Sequence, residues 1–105
     1  MRFVETTVFT RQVTALVGDE EYRALQNALA LRPMGASVIR GSGGLRKLRW
    51  ARGGSGKRGG LRLIYFWEPR DETFFMLFLY SKNVQGDLTP AQARILRRLV
   101  QEEFE

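Results

Sequence analysis

The chain has 105 residues, with 17 Lys and Arg against 11 Asp and Glu, and it contains no cysteine or histidine. This composition excludes disulfides, zinc sites built on Cys or His, thiol chemistry and Ser-His-Asp triads. No stretch approaches the ~20 apolar residues of a membrane span, and the first residues lack the layout of a signal peptide. We therefore expect an intracellular, cytoplasmic protein with one domain over residues 1–105 and with no metal or other cofactor.

Positive charge is concentrated in the middle of the chain. Residues 1–39 carry four basic and four acidic side chains, and residues 63–105 carry five basic and seven acidic ones. Residues 40–62 carry eight basic side chains and no acidic one, which accounts for the net charge of +6. Such a block attracts phosphate or acidic protein. A charged face that only aided solubility could contain acidic residues as well, so it does not explain why residues 40–62 have none.

The hydrophobic patterning predicts seven elements. Runs of β-branched and aromatic residues indicate strands, and apolar residues at helical spacing indicate helices. Thr10, Asp19 and Thr89 are predicted as N-caps because their side-chain oxygens can accept from helix amides. In chain order the predicted elements are a strand over 3–9, a helical turn over 11–17, a helix over 20–31, strands over 45–51, 61–68 and 73–82, and a helix over 90–103.

The order β-α-α-β-β-β-α predicts an α+β fold with helices packed on a mostly antiparallel four-stranded sheet. The strand over 73–82 is apolar on both faces, as expected of a central strand. The connection over 36–44 is predicted to be irregular and docked to the core by Val38 and Ile39. Residues 52–60 are Gly-rich and are predicted to form a loop between two strands.

Basic residues on the predicted strands indicate an anion-binding face. Lys47 and Arg49 are two residues apart, so both project from one face about 7 Å apart. Arg62 can face them from the next strand, and Tyr80 and Lys82 share a face at the end of the last strand. Taken singly, each of these residues is more simply explained as an exposed strand residue or, for Tyr80, as an aromatic residue of the core or its rim. Together they predict a basic pocket with one aromatic ring, which favours an anionic ligand.

The Gly-rich loop matches nucleotide-binding motifs only formally. Residues 54–59 have the glycine spacing of a dinucleotide motif, but a strand follows them instead of the helix that would hold a pyrophosphate. A Walker loop is excluded because Ala51 replaces its first glycine and Arg58 follows Lys57. We favour a loop whose Lys57 and Arg58 close on a phosphate backbone over a merely flexible one.

Such a pocket could cleave RNA, which carries its own nucleophile in the ribose 2′-OH. The protein must align the 2′-oxygen with the phosphorus, stabilise the charge of the phosphorane and transfer two protons. Arginine suits the second task because it stays charged and binds phosphate oxygens bidentately. Without histidine, the proton carriers are lysine, tyrosine or a distant carboxylate. The predicted RNA contacts are Arg46, Arg52, Lys57 and Arg58.

Three segments resemble the HigB-like branch of the RelE/ParE toxin superfamily. They are Gly43–Arg49 (GGLRKLR), Gly56–Tyr65 (GKRGGLRLIY) and Leu79–Asn83 (LYSKN), and they occur in the family's order. The resemblance covers nearly the whole chain. It implies a RelE-like fold and a bacterial toxin of a type II toxin–antitoxin pair.

The resemblance further implies that the protein cleaves mRNA in the A site of the 30S ribosomal subunit, near 16S rRNA, and so inhibits translation. Members of this type use the 2′-OH of the RNA and need no metal. A cognate antitoxin is implied, expected to be HigA-like with a helix-turn-helix. By motif position, the implied catalytic residues are Lys47, Arg49, Arg62 and Lys82, with Tyr80 as a helper.

Two other functions remain open on this fold, because a fold alone does not determine function. One is a ParE-like inhibitor that binds DNA gyrase without catalysis, although gyrase binders tend to lose the cations on the sheet face. The other is an RNA- or ribosome-binding module that uses phosphate contacts alone, with steep salt dependence. Residues 74–78 are predicted to lie in the core, so their aromatic rings do not form the platform on which a single-strand binder stacks bases.

Overall fold

A computed structural model describes residues 1–51 and 60–104 of the chain. The elements are β1 (Arg2–Glu5), α1 (Thr7–Leu16), α2 (Asp19–Leu31), β2 (Ser37–Val38), β3 (Arg46–Trp50), β4 (Leu61–Glu68), β5 (Thr73–Ser81) and α3 (Pro90–Phe104). The α+β class and the order of the predicted elements are confirmed. None of the described helices is long and apolar enough to span a bilayer.

The sheet has the strand order β1-β5-β4-β3-β2. β1 runs parallel to β5, and the other neighbouring strands are antiparallel. The prediction of a mostly antiparallel sheet is therefore confirmed, but the sheet has five strands where four were predicted. The additional strand, β2, has only two residues, which pair with Lys47 and Arg46. So short a strand has no alternating pattern that a sequence could show.

The first strand is shorter than predicted, and the first helix is longer. Thr6 accepts a hydrogen bond from the Phe9 amide at 3.0 Å, and α1 therefore begins at Thr7. The predicted strand over 3–9 is wrong beyond Glu5, and Thr10 lies inside the helix instead of capping it. The side-chain cap outweighs the β propensity of the residues that follow it.

The other predicted caps had mixed outcomes. Gly18 is the N-cap residue of α2, and Asp19 is the first residue of that helix, where its charge favours the helix dipole. Thr89 caps α3 as predicted, because its hydroxyl accepts from the Gln92 amide at 3.1 Å. The Gln92 side chain accepts in turn from the Thr89 amide at 3.0 Å, which completes a capping box.

The sheet separates two apolar clusters. On one face, α1 and α2 pack with residues such as Phe9 and Leu25 against Phe74, whose ring centroid lies 4.8 Å from that of Phe3. On the other face, α3 packs with Leu96 among its buried residues. In the connection before β3, Ile39 packs on this second cluster as predicted. Val38 is 52% exposed and does not dock, since it lies on the edge strand.

An irregularity in β5 determines which side chains face α3. Ile64 pairs with Phe78, whereas Tyr65 pairs with Met76, so Leu77 is one extra residue on β5. Such a bulge reverses the alternation of side chains beyond it. Met76 therefore packs on the α1 and α2 face, while Phe78 and Tyr80 pack on the α3 face.

Candidate functional site

A cleft of about 720 Å³ opens between the sheet and α3. Its walls are the β2 and β3 edge of the sheet, the turn over 39–42, the segment over 87–90 and the first turns of α3. Its lining contains one carboxylate, that of Asp87. The cationic side chains that line it are Arg40, Lys47, Arg49, Arg94 and Arg97.

A row of three side chains crosses the strands beside this cleft. Arg49 on β3 pairs with Arg62 on β4, and Arg62 pairs with Tyr80 on β5. Directly paired residues point to the same face of a sheet. Lys47 lies two residues before Arg49 and therefore shares that face. The structure thus brings four of the five predicted catalytic residues to one surface.

Lys47 is held by an ion pair. Its ammonium nitrogen Nζ lies 3.1 Å from Asp87 Oδ1, which also accepts from the Leu88 amide at 2.9 Å. These two hydrogen bonds, and then the charges of Lys47 and Arg62, hold the pKa of Asp87 below its usual value. Asp87 is therefore ionised at neutral pH. The Asp87 side chain is 73% exposed and that of Lys47 26%. Ion pairs open to solvent contribute about 0–1 kcal/mol, so a stronger ligand can open this one.

Tyr80 supplies a buried hydroxyl beside the cleft. The residue is 5% exposed, and its OH makes no hydrogen bond within residues 1–51 and 60–104. Burial raises the pKa of Tyr80, and the Asp87 charge raises it further, against the opposing effects of the Arg62 charge and of the Leu88 amide, which lies near the OH without the geometry of a hydrogen bond. The phenol therefore keeps its proton at neutral pH. An unpaired buried hydroxyl costs about 1–3 kcal/mol, which indicates a group kept for a ligand or a reaction.

The two arginines of the row keep most of their hydrogen-bonding capacity. Arg62 is half-buried, and its Nη1 donates to its neighbour's carbonyl, Leu61 O, at 3.3 Å. A Cβ at Gly60 would lie 3.3 Å from the same Nη1, so glycine leaves room for this guanidinium. Arg49 is exposed, and in the described part of the chain it makes no hydrogen bond or ion pair. Free donors of this kind can bind two phosphate oxygens at once.

The whole chain, residues 1–105, matches the family model described as the RelE toxin of the RelE / RelB toxin-antitoxin system. The chain belongs to the RelE toxin family. It is accordingly a toxin of a toxin–antitoxin system, from a family of translation inhibitors that are generally endoribonucleases. Membership also implies a cognate antitoxin as its partner.

Two predicted residues of this RelE-family toxin lie apart from the row. Lys82 is exposed in the turn after β5, where its amide donates to Gly60 O at 3.1 Å. Arg46 lies on the opposite face of the sheet, and its guanidinium donates to Ala36 O at 2.7 Å and to Met34 O at 3.3 Å. Arg46 therefore secures the connection after α2, away from the cleft, and its role as an RNA contact stays a prediction. The predicted RNA contacts Arg52, Lys57 and Arg58 lie outside the described residues.

Sequence reasoning missed three arginines of the toxin's cleft. Arg40 comes from the turn before β3, and Arg94 and Arg97 come from α3. The spacing of Arg94 and Arg97 does predict that both lie on one side of a helix. Only the packing of α3 along the sheet shows that this side faces Lys47 and Arg49.

Proposed function

We propose that this RelE-family toxin is a HigB-like, ribosome-dependent endoribonuclease that cleaves mRNA in the A site without a metal ion. The observation that carries the proposal is the row formed by Arg49, Arg62 and Tyr80 beside a cationic cleft. In this proposal one domain over residues 1–105 acts in the cytoplasm on the 30S subunit, next to 16S rRNA. Its partner is a HigA-like antitoxin with a helix-turn-helix.

The chemistry assigns a role to each member of the row. The ribose 2′-OH releases its proton to solvent as its oxygen attacks the adjacent phosphorus, the bond from phosphorus to the 5′-oxygen breaks, and a cyclic phosphate and a 5′-OH result. Arg49 and Arg62 stabilise the extra negative charge of the phosphorane, an effect worth ~10²–10³ in rate for one well-placed donor. Tyr80, with its raised pKa, donates a proton to the leaving 5′-oxygen. Lys47 binds the phosphate, and Lys82 adds a cation beyond the end of β5.

The geometry also supports dependence on the ribosome. Arg49 is exposed and Lys47 is engaged by Asp87, so within the described residues these cations can bind an RNA strand without fixing its reacting atoms in line. In-line attack requires the reacting atoms to be about 3–3.5 Å apart and aligned. A codon already ordered in the A site supplies that alignment, and the toxin adds charge and a proton.

The test is cleavage of mRNA on programmed ribosomes, followed by primer extension. We expect cuts within the A-site codon for the wild type and a loss of at least ~10² in rate for Arg62→Ala. Arg23→Ala is the matched control, because Arg23 is an exposed arginine on α2, away from the cleft. Intact mRNA with the wild-type toxin would refute the proposal. Inhibition of gyrase supercoiling in place of cleavage would identify the ParE-like alternative.

A further inference from the structure

The cleft has a second group of cations on the side away from the catalytic row. Arg94 and Arg97 are three residues apart on α3, so their side chains are neighbours on the helix surface. Arg40 reaches the same cleft from the turn before β3. All three residues are exposed.

These three arginines have no acidic partner. Within the described ranges none of them forms an ion pair, and the one carboxylate of the cleft lining, Asp87, is engaged by Lys47. Like charges that share a concave surface repel one another and raise the local concentration of anions. The neighbouring Arg98 is also exposed, but it does not line the cleft.

Arg97 has a built contact with the backbone. Gly43 has φ +75°, which favours glycine, and a Cβ added there would lie 2.7 Å from Arg97 Nε. Real Cβ contacts are not this short, so any other residue at position 43 would displace the guanidinium. The Arg97 side chain therefore lies against the turn before β3.

We propose that Arg94 and Arg97, together with Arg40, bind a second phosphate of the RNA strand, adjacent to the one bound by Lys47 and Arg49. The identity of the strand as RNA rests on the proposed function. A volume of about 720 Å³ lies within the range of pockets that hold a nucleotide-sized ligand. Planar guanidinium groups match phosphate oxygens bidentately, and the subsite is continuous with the catalytic cations. These points favour a phosphate backbone over an acidic protein segment.

The experiment measures binding of a 2′-O-methyl RNA hexanucleotide, which cannot be cleaved, by fluorescence anisotropy at several salt concentrations. We expect Arg94→Gln and Arg97→Gln each to weaken binding by about 3- to 10-fold and to reduce the salt slope by about 0.7. Arg98→Gln is the matched control, since it removes the same charge from the same helix. It should change the affinity by less than about 2-fold. Gly43→Ala keeps every charge but displaces Arg97, and it should weaken binding as Arg97→Gln does, with its folding checked by circular dichroism.

Several results would overturn this inference: no binding of the RNA by the wild type, unchanged binding by the Arg94 and Arg97 variants, or an equal loss with Arg98→Gln. If the two variants bind RNA normally but no longer form the complex with the co-expressed antitoxin, the subsite binds an acidic protein instead. Ribosomal cleavage by the wild type separates the two proposals. If the wild type cleaves mRNA but the Arg94 and Arg97 variants bind RNA normally, only the proposed subsite is rejected. If the variants lose RNA binding as expected but the wild type does not cleave mRNA, only the proposed nuclease function is rejected.

Discussion

The Lys47 ammonium group and the Asp87 carboxylate lie 3.1 Å apart and join β3 to the segment that leads into α3. The carboxylate thus takes one of the three N–H donors of the Lys47 ammonium group and places a negative charge beside it. In the proposed function, an RNA phosphate that approaches Lys47 meets this charge. Because the Asp87 side of the pair is exposed, solvent weakens the repulsion, but it sets the proposed RNA affinity of the free toxin below what its cations alone would give.

Replacing this carboxylate should therefore strengthen RNA binding. We expect Asp87→Asn to lower the Kd for the 2′-O-methyl hexanucleotide by about 2- to 5-fold and to steepen its salt dependence. Asparagine retains Oδ1, so the hydrogen bond from the Leu88 amide can persist. Asp71→Asn is the control, because it makes the same charge change in the exposed turn at the far end of β4. Equal effects of the two variants would show that only net charge matters.

The Tyr80 hydroxyl should affect catalysis and stability in opposite directions. We expect Tyr80→Phe to slow ribosomal mRNA cleavage by about 10- to 100-fold, because the proton donor is lost. Its free energy of unfolding should be unchanged or higher by up to about 1 kcal/mol, because an unpaired buried hydroxyl is removed.

Tyr65→Phe provides the contrasting control. The Tyr65 hydroxyl donates to Pro33 O at 2.8 Å on the opposite face of the sheet. Its removal should cost about 1 kcal/mol of stability in urea unfolding and leave cleavage by the folded protein unchanged. A loss of stability in Tyr80→Phe as large as that in Tyr65→Phe would contradict our description of the Tyr80 site.

The three tyrosines should lose their protons at a higher pH in the folded protein than in the unfolded protein. Burial raises the pKa of all three tyrosines, Tyr22, Tyr65 and Tyr80, above 10.0, and a hydrogen bond to Glu5 adds to the effect at Tyr22. The folded state therefore favours the neutral phenols. The resulting stabilisation is complete below pH ~10, the unfolded pKa, and is lost as the pH rises through the raised values.

Tyrosinate absorbance measures this directly. At pH ~10 about half of the tyrosine side chains should be ionised in the protein unfolded in guanidinium, whereas a much smaller fraction should be ionised in the folded protein. Omitting the denaturant provides the internal control on the same sample. Coincident titration curves for folded and unfolded protein would contradict the burial of these hydroxyls.

The capping box of α3 should contribute measurably to stability. Thr89→Ala removes the acceptor of the Gln92 amide, and we expect a loss of about 1 kcal/mol in the free energy of unfolding. Thr89→Ser keeps the hydroxyl and should lose much less. Thermal and urea unfolding of the three proteins test this, and equal losses in both variants would assign the effect to the lost methyl group instead of the cap.

The sequence predicts the fold best where the pattern of side chains is strong and local. The bounds of β4, residues 61–68, agree with the prediction because every residue of this strand except Arg62 and the terminal Glu68 is apolar or aromatic. The pairing of Arg49 with Arg62 follows from alternation on two adjacent strands. Thr6 was missed as a cap, because its hydroxyl acts within residues that otherwise favour a strand.

The rest of the site depends on tertiary packing. Asp87 lies in a segment without any periodic pattern, and its contact with Lys47 spans 40 positions of sequence. Arg94 and Arg97 reach the cleft only because α3 lies along the same face as the row formed by Arg49, Arg62 and Tyr80. Nothing in the local sequence of α3 distinguishes them from Arg98, which lies outside the cleft.

The extra residue Leu77 makes the length of β5 as important as its composition. If β5 kept all its residues but paired with β4 without this bulge, every side chain from Phe78 onward would exchange sides. Tyr80 would then lie under α1 and α2, and its hydroxyl would no longer be near Arg62. Substitutions in this strand can be absorbed one at a time, but a change of register would remove the proposed proton donor from the site.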